Sequence, residues 1–258
     1  MELVAQRQLS VGRNIRVNPG DVFTVDYAPY ADQLVREGKA LPKTSPPPTN
    51  ISGLVSCIMP TRNRREWIPR AIACFNAQTY QSKELIILDN GDSIEDLIPK
   101  QDNIRYVRLP GTQATGQLRN ICCTLAKGEF IAHWDDDDWS HPRRLEEQIA
   151  AIGDHQVTGY NRMLFHGPGD EITLYVGTAR YAVGTSLLYR RAYWDRNRFP
   201  PHKIGEDTEF VNRAAKVIVC TDGTGRMVAS THSQNTAPRQ SGSNWKKASL
   251  KELPEEYA

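Results

Sequence analysis

The 258-residue chain has 39% hydrophobic residues and a net charge of +2, enough for one α/β domain with a substantial core and a small appendage. Acids and bases nearly balance, so bulk charge gives no sign of a nucleic-acid partner. A mean hydropathy of −0.54 and the lack of a long apolar run predict no transmembrane helix, and the opening residues MELVAQRQLSVGRN have no apolar signal core.

Residues 1–42 read as a small β/α extension. NPGDVFTV is a turn followed by a short strand, and YADQLVREGKAL a short helix closed by Gly38. Residues 43–52, rich in proline, read as a stiff linker. From residue 53 to 235, strand and helix patterns alternate. GLVSCIMP and KELIILDNG are apolar runs, predicted as buried strands at 54–59 and 84–89, and NIRYVRLP is a third strand at 104–109. Between the first two, Trp67, Ile68, Ala71, Ile72 and Phe75 recur at helical spacing. TGQLRNICCTLAKG is a helix closed by Gly128, EFIAHW a fourth strand, and HPRRLEEQIAAI the helix after it. Further on, VTGYNRMLF and VGTSLLYRRAYW read as strands or strand-turn units, GEDTEFVNRAAK as a short helix, and KVIVCTD and GRMVASTHSQNT as strands. The tail, 236–258, is polar and reads as mobile, with Trp245 as its one anchor.

Repeated β-α units predict a mostly parallel sheet with helices on both faces. Ligands of such sheets bind beyond the carboxyl ends of the strands. PTRNR, DNGDS and DDDDW all fall there, which sets three polar patches on one edge. The five cysteines lie mostly in apolar segments and form no CxxC pair, so they read as buried thiols of a reducing compartment rather than zinc ligands.

The acid run Asp135–Asp138 poses the sharpest question, because adjacent carboxylates repel. A solvated turn that caps the next helix is one answer. A hard divalent cation, Mg²⁺ or Mn²⁺, is the other, and the position between an apolar strand and a helix entry favours it. An EF-hand is disfavoured because His141 stands where its sixth-position glycine belongs. A Walker B reading lacks the required GxxxxGK[ST] loop.

The run from Val55 to about Phe210 resembles the family 2 glycosyltransferases. Three segments in order carry the resemblance: VSCIMPTRNRREW…ILDNGDS, GTQATGQLRN…FIAHWDDDDW and GEDTEF. Leu118 before the Arg-Asn pair departs from the usual small residue. The resemblance implies a GT-A fold, Rossmann-like, and an inverting, metal-dependent enzyme that uses a nucleotide-diphosphate sugar. It implies that Pro60, Thr61 and Arg62 lie along the nucleotide and that Asp89 accepts the base N–H, which favours a UDP-sugar. Arg119 would sit near the diphosphate or its acids. Asp135 and Asp136 would face the nucleotide, with Asp137 as the main metal ligand, Asp135 beside it and His232 either completing the metal shell or touching the diphosphate. Asp138 would support these groups or cap the next helix. Asp207 would act as base on the acceptor hydroxyl, with Glu206 orienting it, although an acidic pair at a helix start also suits the dipole alone. Trp139 would offer a sugar platform.

The alternatives are a sugar-nucleotide nucleotidyltransferase, whose glycine-rich phosphate loop is missing from PTRNRREW, and an inactive GT-A-like binding module. The acceptor stays open among glycan, protein and modified DNA base. The expected location is cytoplasmic. The extension, similar in composition to short proteins encoded near phage structural genes, would contact an oligomer mate or a partner; a phage source would make that the host cytoplasm.

Overall fold

The computed structural model describes residues 53–215, 217–236 and 242–257, together with five strands in the N-terminal segment. The chain divides into two units, Met1–Thr49 and Asn50–Ala258. In the first, β1 (Glu2–Ala5) lies antiparallel between β4 (Val22–Thr24) and β5 (Ala40–Pro42), and β2 (Leu9–Val11) pairs antiparallel with β3 (Ile15–Val17). The strand expected in NPGDVFTV is β4. The helix expected before Gly38 and the linker from 43 to 52 lie outside the described residues.

The second unit is built on an 11-stranded sheet. Its parallel part runs β8 (Ile104–Arg108), β7 (Lys83–Asp89), β6 (Val55–Thr61) and β9 (Phe130–His133). Every residue of β7 is buried, which is why its sequence reads as a continuous apolar run rather than an alternation. Side chains of opposite parity feed two cores. Cys57, Leu85 and Ala132 pack with α1 (Ile68–Asn76) and α3 (Arg144–Ile152). Ile58, Ile86 and Ile131 pack with α2 (Thr115–Leu125), α4 (Arg191–Arg196) and α5 (Glu206–Arg213) on the other face. Helices therefore cover both faces, as the pattern predicts.

Beyond β9 the sheet turns antiparallel and mixed. β13 (Leu188–Arg190) pairs antiparallel with both β9 and β11 (Val157–Gly167). β11 also takes β12 (Glu171–Val176) antiparallel, and β14 (Ile218–Asp222) and β15 (Met227–Ser230) in parallel. β10 (Trp139–Ser140) adds to β15. The segment RRAYW, expected as strand, is helical in α4. Its Tyr193 and Trp194 are buried on one side of that short helix.

Over 242–257 the tail is paired and packed. Trp245–Lys247 forms β16, antiparallel to β12, and Ala248, Leu253 and Tyr257 pack on the first core. Widely spaced apolar residues in a polar stretch give this segment its grip. Tyr257 also meets Trp139 edge-on at 5.8 Å. Trp139 is only 6% exposed and is a packing residue, which corrects its expected role as a sugar platform. All five cysteines are unpaired, four of them buried.

One buried cation ties the end of β9 to α3. Arg144 is fully buried. It donates to the Ser140 hydroxyl at 2.9 Å, the His133 carbonyl at 2.9 Å and the Thr185 carbonyl at 3.3 Å, and its guanidinium lies 5.1 Å from the Trp134 ring. Replacing it orphans these acceptors. Arg144→Met is expected to lose about 3 kcal/mol of stability in chemical denaturation; an unchanged midpoint would show that the bonds are replaceable.

Candidate active site

β6, β7 and β9 run in parallel, so Thr61, Asp89 and the acid run all emerge at one edge. The acids follow β9 directly. Asp136, Asp137 and Asp138 are buried, whereas Asp135 is partly open, its side chain 26% exposed. Each buried carboxylate is met by donors from other parts of the chain. Thr61 Oγ1 donates to Asp136 at 2.5 Å, and Arg64 Nη1 reaches Asp136 at 2.7 Å and Asp137 at 2.9 Å. His232 Nε2 lies 3.0 Å from the same Asp137 oxygen, and Asn235 Nδ2 donates to it at 3.2 Å. Asp138 accepts from Thr185 Oγ1 at 2.5 Å and from the Ser230 amide at 2.9 Å. Burial pushes the Asp136 and Asp137 carboxyls up to about 6, with Arg64 pulling against it and neighbouring acids adding to it. Burial raises Asp138 further, reinforced by Asp137 and Asp135.

A second arginine links the acid run to α5. Arg119, on α2 and 6% exposed, lies 3.6 Å from Asp135 Oδ1 and 3.1 Å from Glu206 Oε1. The second and third of the segments that carry the resemblance thus meet at one guanidinium. Gly205 enters α5 with φ +84°, a left-handed turn suited to glycine. The turn puts Glu206 and Asp207 in the first helical turn, where the dipole favours them. Burial raises Glu206, opposed by Arg119. Asp207 lies against the backbone of Gly184, so closely that a Cβ there would stand 1.6 Å from its Oδ2. The Gly184 carbonyl is held in turn by His133 Nδ1 at 2.7 Å. That imidazole is kept far below its usual range by burial and by Arg119, so it stays neutral.

These groups line one cleft of about 780 Å³, in the range of ligand sites. Pro60, Thr61, Arg62, Arg119, Asp135, Asp136, Asp137, Glu206, Asp207 and His232 all line it. Asp89 does not. It is fully buried, with Oδ2 accepting from the Tyr106 hydroxyl at 2.7 Å and Oδ1 from the Gly91 amide at 2.9 Å. Its neighbour Asn90 lines the cleft instead, and the Asn90 Oδ1 is buried without a partner. Sequence reasoning missed Asn90, Arg64, Gly184, Thr185 and Asn235. Arg64 was the most findable, as the second arginine of the PTRNR loop.

The donor set of Asp135, Asp137 and His232, carboxylate oxygens and an imidazole, suits Mn²⁺ or Mg²⁺ in kind. In number it falls short of a closed cage: among the described residues, no three His, Cys, Asp or Glu side chains are grouped to hold an ion. Arg64 lies against the carboxylates where such an ion would bind. The arrangement fits a site completed by substrate oxygens.

A family model described as glycosyl transferase family 2 matches residues 56–214. The chain belongs to this family. The chain is similar to the poly(ribitol-phosphate) beta-N-acetylglucosaminyltransferase TarP of Staphylococcus aureus, 33% identical over an alignment of 166 residues that covers 56% of this chain and 51% of that protein. The chain spans about half the length, or less, of the curated relatives it matches. Among solved structures, S. aureus TarS in complex with UDP-GlcNAc is similar, with a TM-score of 0.59 at 20% identity over 71% of this chain and 60% of that one. So is the mannosyltransferase PcManGT of Pyrobaculum calidifontis with GDP-Man and Mn²⁺, with a TM-score of 0.59 at 14% identity over 78% and 63%. These likenesses show the GT-A fold. Among the described residues, no helix is long and apolar enough to cross a membrane.

The raised carboxyls give the ion-free protein a defined pH dependence. Between about pH 4 and pH 6 the native state holds protons at Asp136 and Asp137 that the unfolded chain has released. Stability from these groups therefore falls as pH rises through that window and stays lowered above it. In chelator, Asp137→Asn is expected to melt above the wild type at pH 7.5, with the gap closing at pH 4. A gap of equal size at both pH values would show that ionised Asp137 carries no cost.

Proposed function

We propose that the protein moves a sugar from a nucleotide-diphosphate donor, a UDP-sugar by preference, to an acceptor hydroxyl in a single inverting displacement. The observation that carries this reading is the Arg119 bridge, which brings the acid run and the Glu206-Asp207 pair to opposite sides of one guanidinium in one cleft.

Asp207 is the base. It is partly exposed in the cleft, whereas Glu206 is buried and committed to Arg119. As the acceptor oxygen attacks the anomeric carbon, its proton passes to Asp207 and the bond from that carbon to the diphosphate breaks. Charge left on the diphosphate faces Arg119 and Arg62. A divalent ion held chiefly by Asp137, with Asp135 or His232 beside it, would neutralise the remaining phosphate charge when bound. Glu206 orients Asp207 and Arg119. Pro60, Thr61 and Arg62 border the nucleotide, with Asp135 and Asp136 across from them. Asn90 offers the free oxygen for a base N–H, and Asp89 fixes the turn that presents it. TarS, which binds UDP-GlcNAc, supports the uridine preference; PcManGT binds GDP-Man, so the base is the part of the donor most in need of a direct test.

Calorimetric titration of UDP, GDP and CDP, with Mn²⁺ and again with EDTA, is that test. UDP is expected to bind with Mn²⁺, to weaken in EDTA and to be lost in Asp137→Asn. No nucleotide binding under any condition would overturn the donor site and favour an inactive binding module.

The base assignment has its own check. Asp207→Asn is expected to lower kcat by about 10²–10⁴-fold with nucleotide affinity unchanged. Gly184→Ala, which drives the Asp207 carboxylate from its place, is expected to lose activity similarly. Full activity in Gly184→Ala would show that Asp207 works from another position.

A further inference from the structure

The cleft continues past Asp207 into a wall that none of the three family segments supplies. Phe165 of β11, Tyr175 of β12, Tyr181 of the loop after it and Trp245 of β16 all line it. The rings meet at angles rather than stacking flat. Phe165 and Trp245 lie 4.7 Å apart at 67°, Tyr175 and Trp245 5.2 Å apart at 59°, and Tyr175 and Tyr181 6.4 Å apart at 59°. Tilted rings leave faces turned to the cleft, and Phe165, Tyr181 and Trp245 are each only partly buried. Strand register sets this up. Trp245 pairs with Tyr175, and Phe165 with Thr173, so these strand residues project from one side of the sheet, with Tyr181 added from the loop.

We infer that this wall is the acceptor subsite and that the acceptor is a neutral saccharide stacked on Trp245 and Tyr181. The inference rests on the transferase reading above and names the substrate class of its second half. A pyranose ring presents an apolar C–H face to an aromatic ring and hydroxyls around its edge. The wall has both counterparts, with Thr173 and Thr231 among the aromatic groups that line the cleft. Its near end adjoins the residue after the base. The Tyr181 hydroxyl lies 3.2 Å from Thr208 Oγ1, one residue beyond Asp207, so a ring seated on Tyr181 presents its hydroxyl edge to that carboxylate.

Charge speaks against the polyanionic acceptors. A nucleic acid or polyol-phosphate chain needs cations along its path. The cations lining the cleft are Arg62, Arg64, Arg119 and Lys203. Arg64 and Arg119 are held at the acid run, Arg62 stands in the same loop as Arg64, and Lys203 accepts through its carbonyl from Thr115 at the start of α2. None of the four belongs to the strands or the loop that carry the aromatic wall. Lys247 shares the face of Trp245 but is exposed and outside the lining.

The test is titration of the full chain, with UDP and Mn²⁺ present, against cello-, malto-, manno- and chito-oligosaccharides, and against a single-stranded oligonucleotide and a polyol-phosphate polymer. At least one neutral series is expected to bind. Trp245→Ala should weaken that binding about tenfold or more, Trp245→Phe should restore most of it, and all variants should bind UDP as the wild type does. Tyr181→Ala, on a separate element, repeats the test should loss of Trp245 loosen β16. Binding of the polyanions alone, of no saccharide at all while UDP binds, or of saccharides equally by wild type and both alanine variants, overturns the inference. Absence of UDP binding by the wild type would instead overturn the donor reading, whatever the saccharides do.

Discussion

Like charges crowded at the end of one buried strand are the constraint around which this protein is organised. Two carboxylates 4 Å apart repel by about 4 kcal/mol even in a moderately polar interior. Three of the four acids after β9 are buried. They persist because each is answered from elsewhere in the chain: Arg64 between Asp136 and Asp137, Arg119 beside Asp135, and Thr185 and Ser230 on Asp138. The loops after β6, before β13 and after β15 take their shapes from donors they must deliver to one place. Arg144 underneath holds the strand end and the Thr185 loop together, so the electrostatic problem is solved in two layers.

The two halves of the sheet divide the labour. The parallel strands β8, β7, β6 and β9 bring polar loops to a common edge, and both of their faces are packed. The mixed half is built on β11, which is long enough to take partners along its length. That half turns the sheet round until β12 and β16 face the same cleft. One half offers charge and polar backbone, the other aromatic surface, and Asp207 lies where they meet.

The parallel half was legible in the sequence because its signals are local. An apolar run such as KELIILD fixes a buried strand, and a 3.6-residue recurrence such as Ile68, Ala71, Ile72 and Phe75 fixes the helix that covers it. The acid run and Arg119 were legible because three ordered segments resemble a family. Contacts between distant residues were not. Nothing in PTRNRREW says that Arg64 rather than Arg62 meets the acids, since that depends on how a loop turns. Asp89 was expected at the base, but its bond to Tyr106 depends on the β7–β8 pairing. The strand at 245–247 went unread, with Trp245 taken only as an anchor of a polar tail, because a strand of three residues has too short a pattern to register. RRAYW misled for the same reason: aromatic and β-like residues in a brief stretch fit a strand as well as a helical turn.

The pairing of β16 with β12 also solves a problem unrelated to chemistry. Without it, β12 would present a row of open amides and carbonyls at the margin of the sheet, a template for joining another molecule edge to edge. β16 covers that margin with only three residues, and two of them are exposed lysines. A new margin so short and so positively charged repels a like copy of itself. The strand that turns Trp245 inward thus guards the sheet against self-association with Lys246 and Lys247, and shortening the chain before it would expose the protein to aggregation as well as remove a ring.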